Sequence, residues 1–162
     1  MTCEKYLNQY RDALMDLEDM KMQIRLAEDR LNKTTANYDS VRVQSGHDRG
    51  DAEAALADLT REMQKLQADA SAKREEISSF ISRIAAGTGD VGRRYRRLLK
   101  LYYCEDMPWN DVAKAMRPLR TRKDGRQVTY KSGNGISETT LFRVRLEALA
   151  AADMEFRRLG IG

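Results

Sequence analysis

Residues 4–43 read EKYLNQYRDALMDLEDMKMQIRLAEDRLNKTTANYDSVRV, and what recurs in them decides the fold. Tyr10, Leu17, Ile24, Leu31 and Tyr38 stand seven residues apart. Three places after each of the first four come Ala13, Met20, Ala27 and Thr34, and Tyr6 extends this second row backwards. A repeat with alternating steps of three and four places one apolar seam along a helix, as at the a and d positions of a coiled coil. No Pro or Gly interrupts it before Gly46. The spacing predicts a helix from about residue 4 to 43, roughly 60 Å long at ~1.5 Å per residue.

Residues 44–51, QSGHDRGD, hold two glycines among small polar residues and read as a turn, with Asp51 as the N-cap of a second helix and Glu53 beside that helix's dipole. A second seam starts there: Leu56, Leu59, Met63, Leu66, Ala70, Lys73, Ile77, Phe80 and Ile84. Lys73 alone breaks the apolar rule, and its stem can lie along the seam with the ammonium in water. The helix is expected to end near Ala86, with Gly87, Thr88 and Gly89 supplying a C-cap and linker. Two seams of similar length can fold back on each other as an antiparallel hairpin, or each can pair with a second copy. A two-helix core is thin, so a homodimer through the coiled coil is also expected. The Tyr, Met and Leu stripe reads as packing and is assigned no chemistry.

Charge divides the chain. Residues 1–90 hold 13 Lys and Arg against 17 Asp and Glu, whereas residues 91–162 hold 16 against 8. An acidic-leaning half followed by a basic half suggests one part for protein contacts and one for a polyanion. The expected organisation is therefore a coiled-coil hairpin over 1–90 and a basic module over 91–162.

In the basic module, Tyr95, Leu98, Leu99 and Tyr102 fall at helical spacing, and Arg93, Arg94, Arg96 and Arg97 cover the other side. Positive charge near a helix start is unfavourable to the dipole. Arg93, Arg94 and Arg97 are therefore candidate phosphate contacts, the plain alternative being a solvated face. Pro108 suits the first turn of a second helix, whose Trp109, Val112, Ala113 and Met116 again form one face. Ser137 is a good N-cap for a third, in which Leu141, Val144, Ala148 and Leu149 point inward. Thr139, Phe142, Arg143 and Leu146 point the opposite way. A recognition helix needs that arrangement: an apolar back and an outer N-terminal face that reaches base edges.

The run from Tyr95 to Leu149, with RRLLKLYYCEDMPWNDVAKAM and ISETTLFRVRLEAL, resembles region 4 of sigma-70-type factors. It is still more similar to small phage and prophage proteins that join such a helix-turn-helix to an N-terminal coiled coil. A V-x-V-Q-S-like signature sits between the coil helices in that family, and SVRVQSG at residues 40–46 is similar. The resemblance implies a cytoplasmic phage transcription regulator of late or packaging genes, with host RNA polymerase as a candidate partner. It also implies that Trp109 and Val112 belong to the core of the positioning helix. The DNA contacts would come from the stretch Ser137 to Arg145, including Thr139, Thr140, Phe142, Arg143 and Arg145.

One departure stands out. A turn of a few residues is usual between the two helices, yet here Arg117 to Ile136 intervenes, with Arg117, Arg120, Arg122, Lys123, Arg126 and Lys131 against the single acid Asp124. Asp124-Gly125 is a hairpin signal, and Gln127 to Tyr130 can pair beside Leu119 to Arg122. The insertion reads either as a basic ribbon that follows the DNA backbone or as a basic loop that binds nothing alone. It also leaves open the angle at which the two helices cross.

Other classes find no support in the residues. His47 is the only histidine and sits in the expected turn; Cys3 and Cys104 are far apart and form no C-x-x-C pair. Neither a metal nor a cofactor is expected, and no P-loop, dinucleotide fingerprint or nucleophile elbow is present, so the chain is read as a non-enzyme. Glu4, Lys5, Arg11 and Asp12 stand where a signal peptide would be apolar, and no run approaches the ~20 apolar residues of a membrane span. An all-α, cytosolic, DNA-binding regulator is the leading expectation. A coiled-coil adaptor that holds nucleic acid non-specifically, and a small-terminase-like packaging protein, are the alternatives.

Overall fold

A computed structural model of the chain describes residues 1–37, 46–116, 119–121, 125, 127–129 and 135–161, with side chains described outside 34–37, 46–49, 119–121 and 127–129. Five helices carry the described fold: α1 (Cys3–Asn37), α2 (Gly46–Arg83), α3 (Gly89–Tyr103), α4 (Trp109–Ala115) and α5 (Glu138–Arg158). Between α4 and α5 two three-residue strands, β1 (Leu119–Thr121) and β2 (Gln127–Thr129), pair antiparallel with Arg120 opposite Val128.

The heptad seams become α1 and α2, which pack antiparallel within one chain. Contacts divide the chain into two units: residues 12–72, and residues 1–11 together with 73–162. In the first unit the seam side chains are the covered ones. Leu17, Met20 and Ala70 are buried, while Ile24, Ala27, Leu31, Leu59, Met63 and Leu66 are half-buried.

The second unit is built around one apolar cluster. Cys3, Tyr6 and Leu7 from the start of α1 join Ile77, Phe80, Ile81 and Ile84 from the end of α2, and these join buried residues of α3, α4 and α5. Tyr6, Phe80 and Phe156 meet with ring centroids 5.3–6.2 Å apart, in edge-on or tilted geometry. Such pairs add to the burial of their area. The contact boundaries thus fall inside the two long helices and not at residue 90. The seam continues into the second core, so the hairpin's open end is part of the basic module.

Local details differ from expectation in four places. The helix α2 starts at Gly46, so Asp51 lies inside it instead of capping it, and His47 is helical instead of in a turn. Glycine disfavours a helix by only about 1 kcal/mol, which a 38-residue helix with a packed seam absorbs. At the other end of α2 the first left-handed residue is Ala85, with φ of 48°, ahead of Gly89, which is left-handed as well at 62°. Pro108 is the N-cap of α4, in extended conformation, and not its first helical residue. In α3, Leu101 and Tyr103 are buried alongside Leu98 and Leu99, because the helix meets both α4 and α5 as well as the cluster from α1 and α2. The expected stretch 38–43 of the first helix lies outside the described residues, as does most of the SVRVQSG signature.

Candidate nucleic-acid interface

The candidate surface is built on α3, α4 and α5, which all touch one another. The inner side of α5 follows the spacing: Leu141, Val144 and Ala148 are buried, and Ala152 and Phe156 extend the row. Ser137 caps the helix, accepting a hydrogen bond from the Thr140 backbone N–H at 3.3 Å, and its hydroxyl lies 2.8 Å from that of Thr140. An ordered first turn holds Thr139, Phe142 and Arg143 outward, all three exposed.

The arginines of α3 separate into different roles. Arg93 is exposed and pairs with Asp90. Arg96 donates to the carbonyls of Ile84 and Ala85 at 2.8 and 3.0 Å, just past the end of α2, where the Ala85 carbonyl also accepts from Thr88. Arg97 stays exposed but donates to the Ala115 carbonyl at 3.2 Å and so does the same for α4. The apparent conflict with the α3 dipole is resolved in part because these guanidiniums serve the C-terminal ends of other helices.

Arg94 differs from its neighbours. It is half-buried, and its Nε is covered without a hydrogen-bond partner. Burial, and then the like charge of Arg143 on α5, hold its guanidinium below the usual arginine range; Glu147 partly offsets this. Glu147 is itself held by the Tyr95 hydroxyl, which donates to it at 3.0 Å. Arg94 on α3 thus feels the positive charge of Arg143 on α5, and the Arg143 side chain is exposed. An arginine stays charged in a protein, so an anion beside this pair of charges is favoured.

Arg145 faces a different way from Thr139, Phe142 and Arg143. Its guanidinium lies 4.6 Å from the centre of the Trp109 ring, and it approaches Glu4 at 3.7 Å. Trp109 stacks on Tyr102 at 3.8 Å, and Arg11 covers Tyr102 at 4.1 Å. Arg11 also pairs with Asp106 at 3.0 Å. This ladder of cation, ring, ring and cation ties α1, α3, α4 and α5 together. Sequence reasoning identifies neither Arg11 nor the capping role of Arg96. The signal is present only as an aromatic pair and two distant arginines, and nothing local links them.

The insertion leaves and returns at one place. Met116 donates to the Val112 carbonyl at 2.9 Å, and Ile136 donates to the Ala113 carbonyl at 2.9 Å, both in the last turn of α4. Gly135, at φ of 82°, makes this return, and a Cβ there would stand 2.8 Å from the Ala113 oxygen. The chain thus departs from the end of α4 and rejoins it before the Ser137 cap, while β2 lies beside α3. Arg120 is on β1; Arg117, Arg122, Lys123, Arg126 and Lys131 lie outside the described residues.

No helix among the described residues is long and apolar enough to cross a membrane. Comparison with known protein families, with curated proteins and with solved structures finds no match.

Proposed function

We propose that this chain is a sequence-specific, double-stranded-DNA-binding transcription regulator whose α4 and α5 act as a sigma region 4-like helix-turn-helix. The observation that carries this reading is the exposed Thr139, Phe142 and Arg143 face at the Ser137-capped start of α5, a helix packed on the arginine-bearing α3. Arg143 and Thr139 then face base edges, while Arg94 and Arg93 hold phosphates on the flank. The return of the insertion to α4 supports the same assignment, because α5 starts as close to α4 as after a short turn. The basic excursion is then an added element that follows the backbone.

The test is recovery of DNA fragments. Purified protein is mixed with fragmented genomic DNA of its source at about physiological salt, and the bound fraction is sequenced. Enrichment of one or a few sites is expected, with Arg143→Ala costing about 1–3 kcal/mol of preference for them over random DNA. Uniform recovery, or an unchanged preference in Arg143→Ala, would overturn the assignment.

The first unit supports a second, compatible reading, that of a protein-docking coil. Met15, Met22 and Leu26 are exposed on the side of α1 opposite its seam. Such a row fits contact with another protein such as a polymerase subunit. A Met15→Glu, Met22→Glu double variant is then expected to lose partner capture while still recovering the same DNA fragments.

A further inference from the structure

The outer side of α5 carries more apolar surface than DNA reading uses. A recognition helix reads bases with its N-terminal turns. Here Phe142, Leu146 and Met154 are 60%, 53% and 70% exposed, and the exposed Ala150 completes the steps of four between them. Residues four apart form one ridge along a helix, the kind of ridge that packs into the groove of another helix. The ridge runs from Phe142 to Met154, well beyond the part assigned to DNA.

We propose that the occupant of this ridge is a second copy of the chain, with α5 lying antiparallel on α5 of the second copy about a two-fold axis at the level of Ala148. The charges on the helix select both partner and register. That register sets Phe142 beside Met154 of the second copy and Leu146 beside Ala150 of the second copy. It also sets Arg143 beside Asp153 of the second copy and Glu138 beside Arg158 of the second copy, and symmetry repeats each pair. Sliding one turn one way brings Arg143 against Arg157 of the second copy. Sliding one turn the other way sets Glu138 against Met154 of the second copy and leaves both charge pairs unmade.

In the single chain Asp153 pairs with Arg157 at 2.6 Å and remains 42% exposed, so it can take a second guanidinium. Arg143, which is exposed, gains a counter-charge. One helix of 21 residues gives a footprint below the ~800 Å² per partner of a standard interface, so the dimer forms reversibly and depends on concentration. Pairing would cover Thr139, Phe142 and Arg143, and a dimer would therefore compete with DNA. That competition rests on the DNA-binding reading; the pairing itself does not.

Sedimentation equilibrium of the full chain, from low to high micromolar, is the deciding measurement, with thermal unfolding as a check that each variant is folded. A monomer–dimer equilibrium is expected. Asp153→Arg should weaken it by about tenfold or more, since it replaces two attractive pairs by two repulsive ones. Arg143→Asp combined with Asp153→Arg should restore it, and Met154→Glu, away from the DNA face, should weaken it independently. A chain that stays monomeric throughout would overturn the proposal. So would a dimer that neither Asp153→Arg nor Met154→Glu disturbs. In gel shifts at high protein concentration, Met154→Glu is expected to bind DNA more completely than the natural chain. If no DNA is bound while the charge swap still restores the dimer, the pairing stands and the DNA reading falls.

Discussion

At the scale of single residues, the two arginines near the start of α5 do opposite work. Arg143 is exposed, whereas Arg145 lies on the Trp109 ring in the ladder that also holds Tyr102 and Arg11. Replacing Arg145 by Ala should cost about 0.5–1 kcal/mol of stability and change DNA affinity little. Replacing Arg143 by Ala should leave the thermal midpoint within error and reduce the site preference by about 1–3 kcal/mol. Parallel melting and binding curves on the two variants separate these roles. If Arg145→Ala melts unchanged and binds DNA poorly, the division is wrong.

Buried protons set the alkaline limit. Burial pushes the Cys3 thiol up to about 11 from an ordinary 9.0, and it pushes the Tyr6 and Tyr103 hydroxyls up to about 12 from 10.0. Each group holds its proton more tightly folded than unfolded. The unfolded chain therefore binds fewer protons between pH 9 and 12, and stability falls as pH rises through that window. Below pH 9 this contribution is fully present. The thermal midpoint should decline from about pH 9 upward, and Tyr103→Phe should flatten the later part of the decline. A midpoint that holds steady to pH 11 would show that these groups are not buried as described. Cys3 and Cys104, both buried with raised thiol values, should also resist thiol reagents in the folded chain and react on unfolding.

At the scale of elements, the seams are legible because a seven-residue repeat puts its apolar residues on one side of a helix and on no other element. Each position named for the second seam, from Leu56 to Ile84 and including Lys73, is buried or half-buried. Helix ends are less legible, since a single glycine shifts the balance by only about 1 kcal/mol and packing decides. Gly50 has the sequence context of a turn yet lies within α2, where a Cβ would meet nothing within 4 Å. Ala85 has the context of a helix but takes the left-handed conformation that favours glycine. Gly50→Ala and Ala85→Gly should therefore each stabilise the chain, by about 0.5–1 kcal/mol, and their effects should add because the sites are far apart in sequence and share no partner. Loss of stability in Gly50→Ala would place the start of α2 after residue 50. The converse substitution, at Gly92, is expected to be damaging: a Cβ there would stand 2.1 Å from the Ala85 oxygen, so α3 could not approach the end of α2.

At the scale of the whole molecule, charge and period suggest a cut near residue 90, but the core does not respect it. Sequence periodicity cannot say which core a seam residue enters. Tyr6 and Ile77 carry the same heptad signature as Leu17 and Leu66, yet the first two bury their side chains in the basic module. What separates them is the presence of α3 and α5 beside the end of the hairpin, a tertiary fact with no local mark. The module's core borrows Leu7, Ile77, Ile81 and Ile84, each nearly inaccessible to solvent. Losing one such side chain typically costs about 2–5 kcal/mol, comparable to much of the ~5–15 kcal/mol that holds a domain together. A fragment of residues 91–162 is therefore expected to lack a cooperative thermal transition and to bind no DNA site, although it contains every residue assigned to DNA. A chain that keeps residues 1–11 and 73–162, with the coil between them replaced by a short flexible linker, should fold cooperatively and keep site preference. Circular dichroism melts of the two pieces decide the matter. A sharp transition in the short fragment would mean that α3, α4 and α5 suffice for their own core, and that the hairpin's end only leans on it.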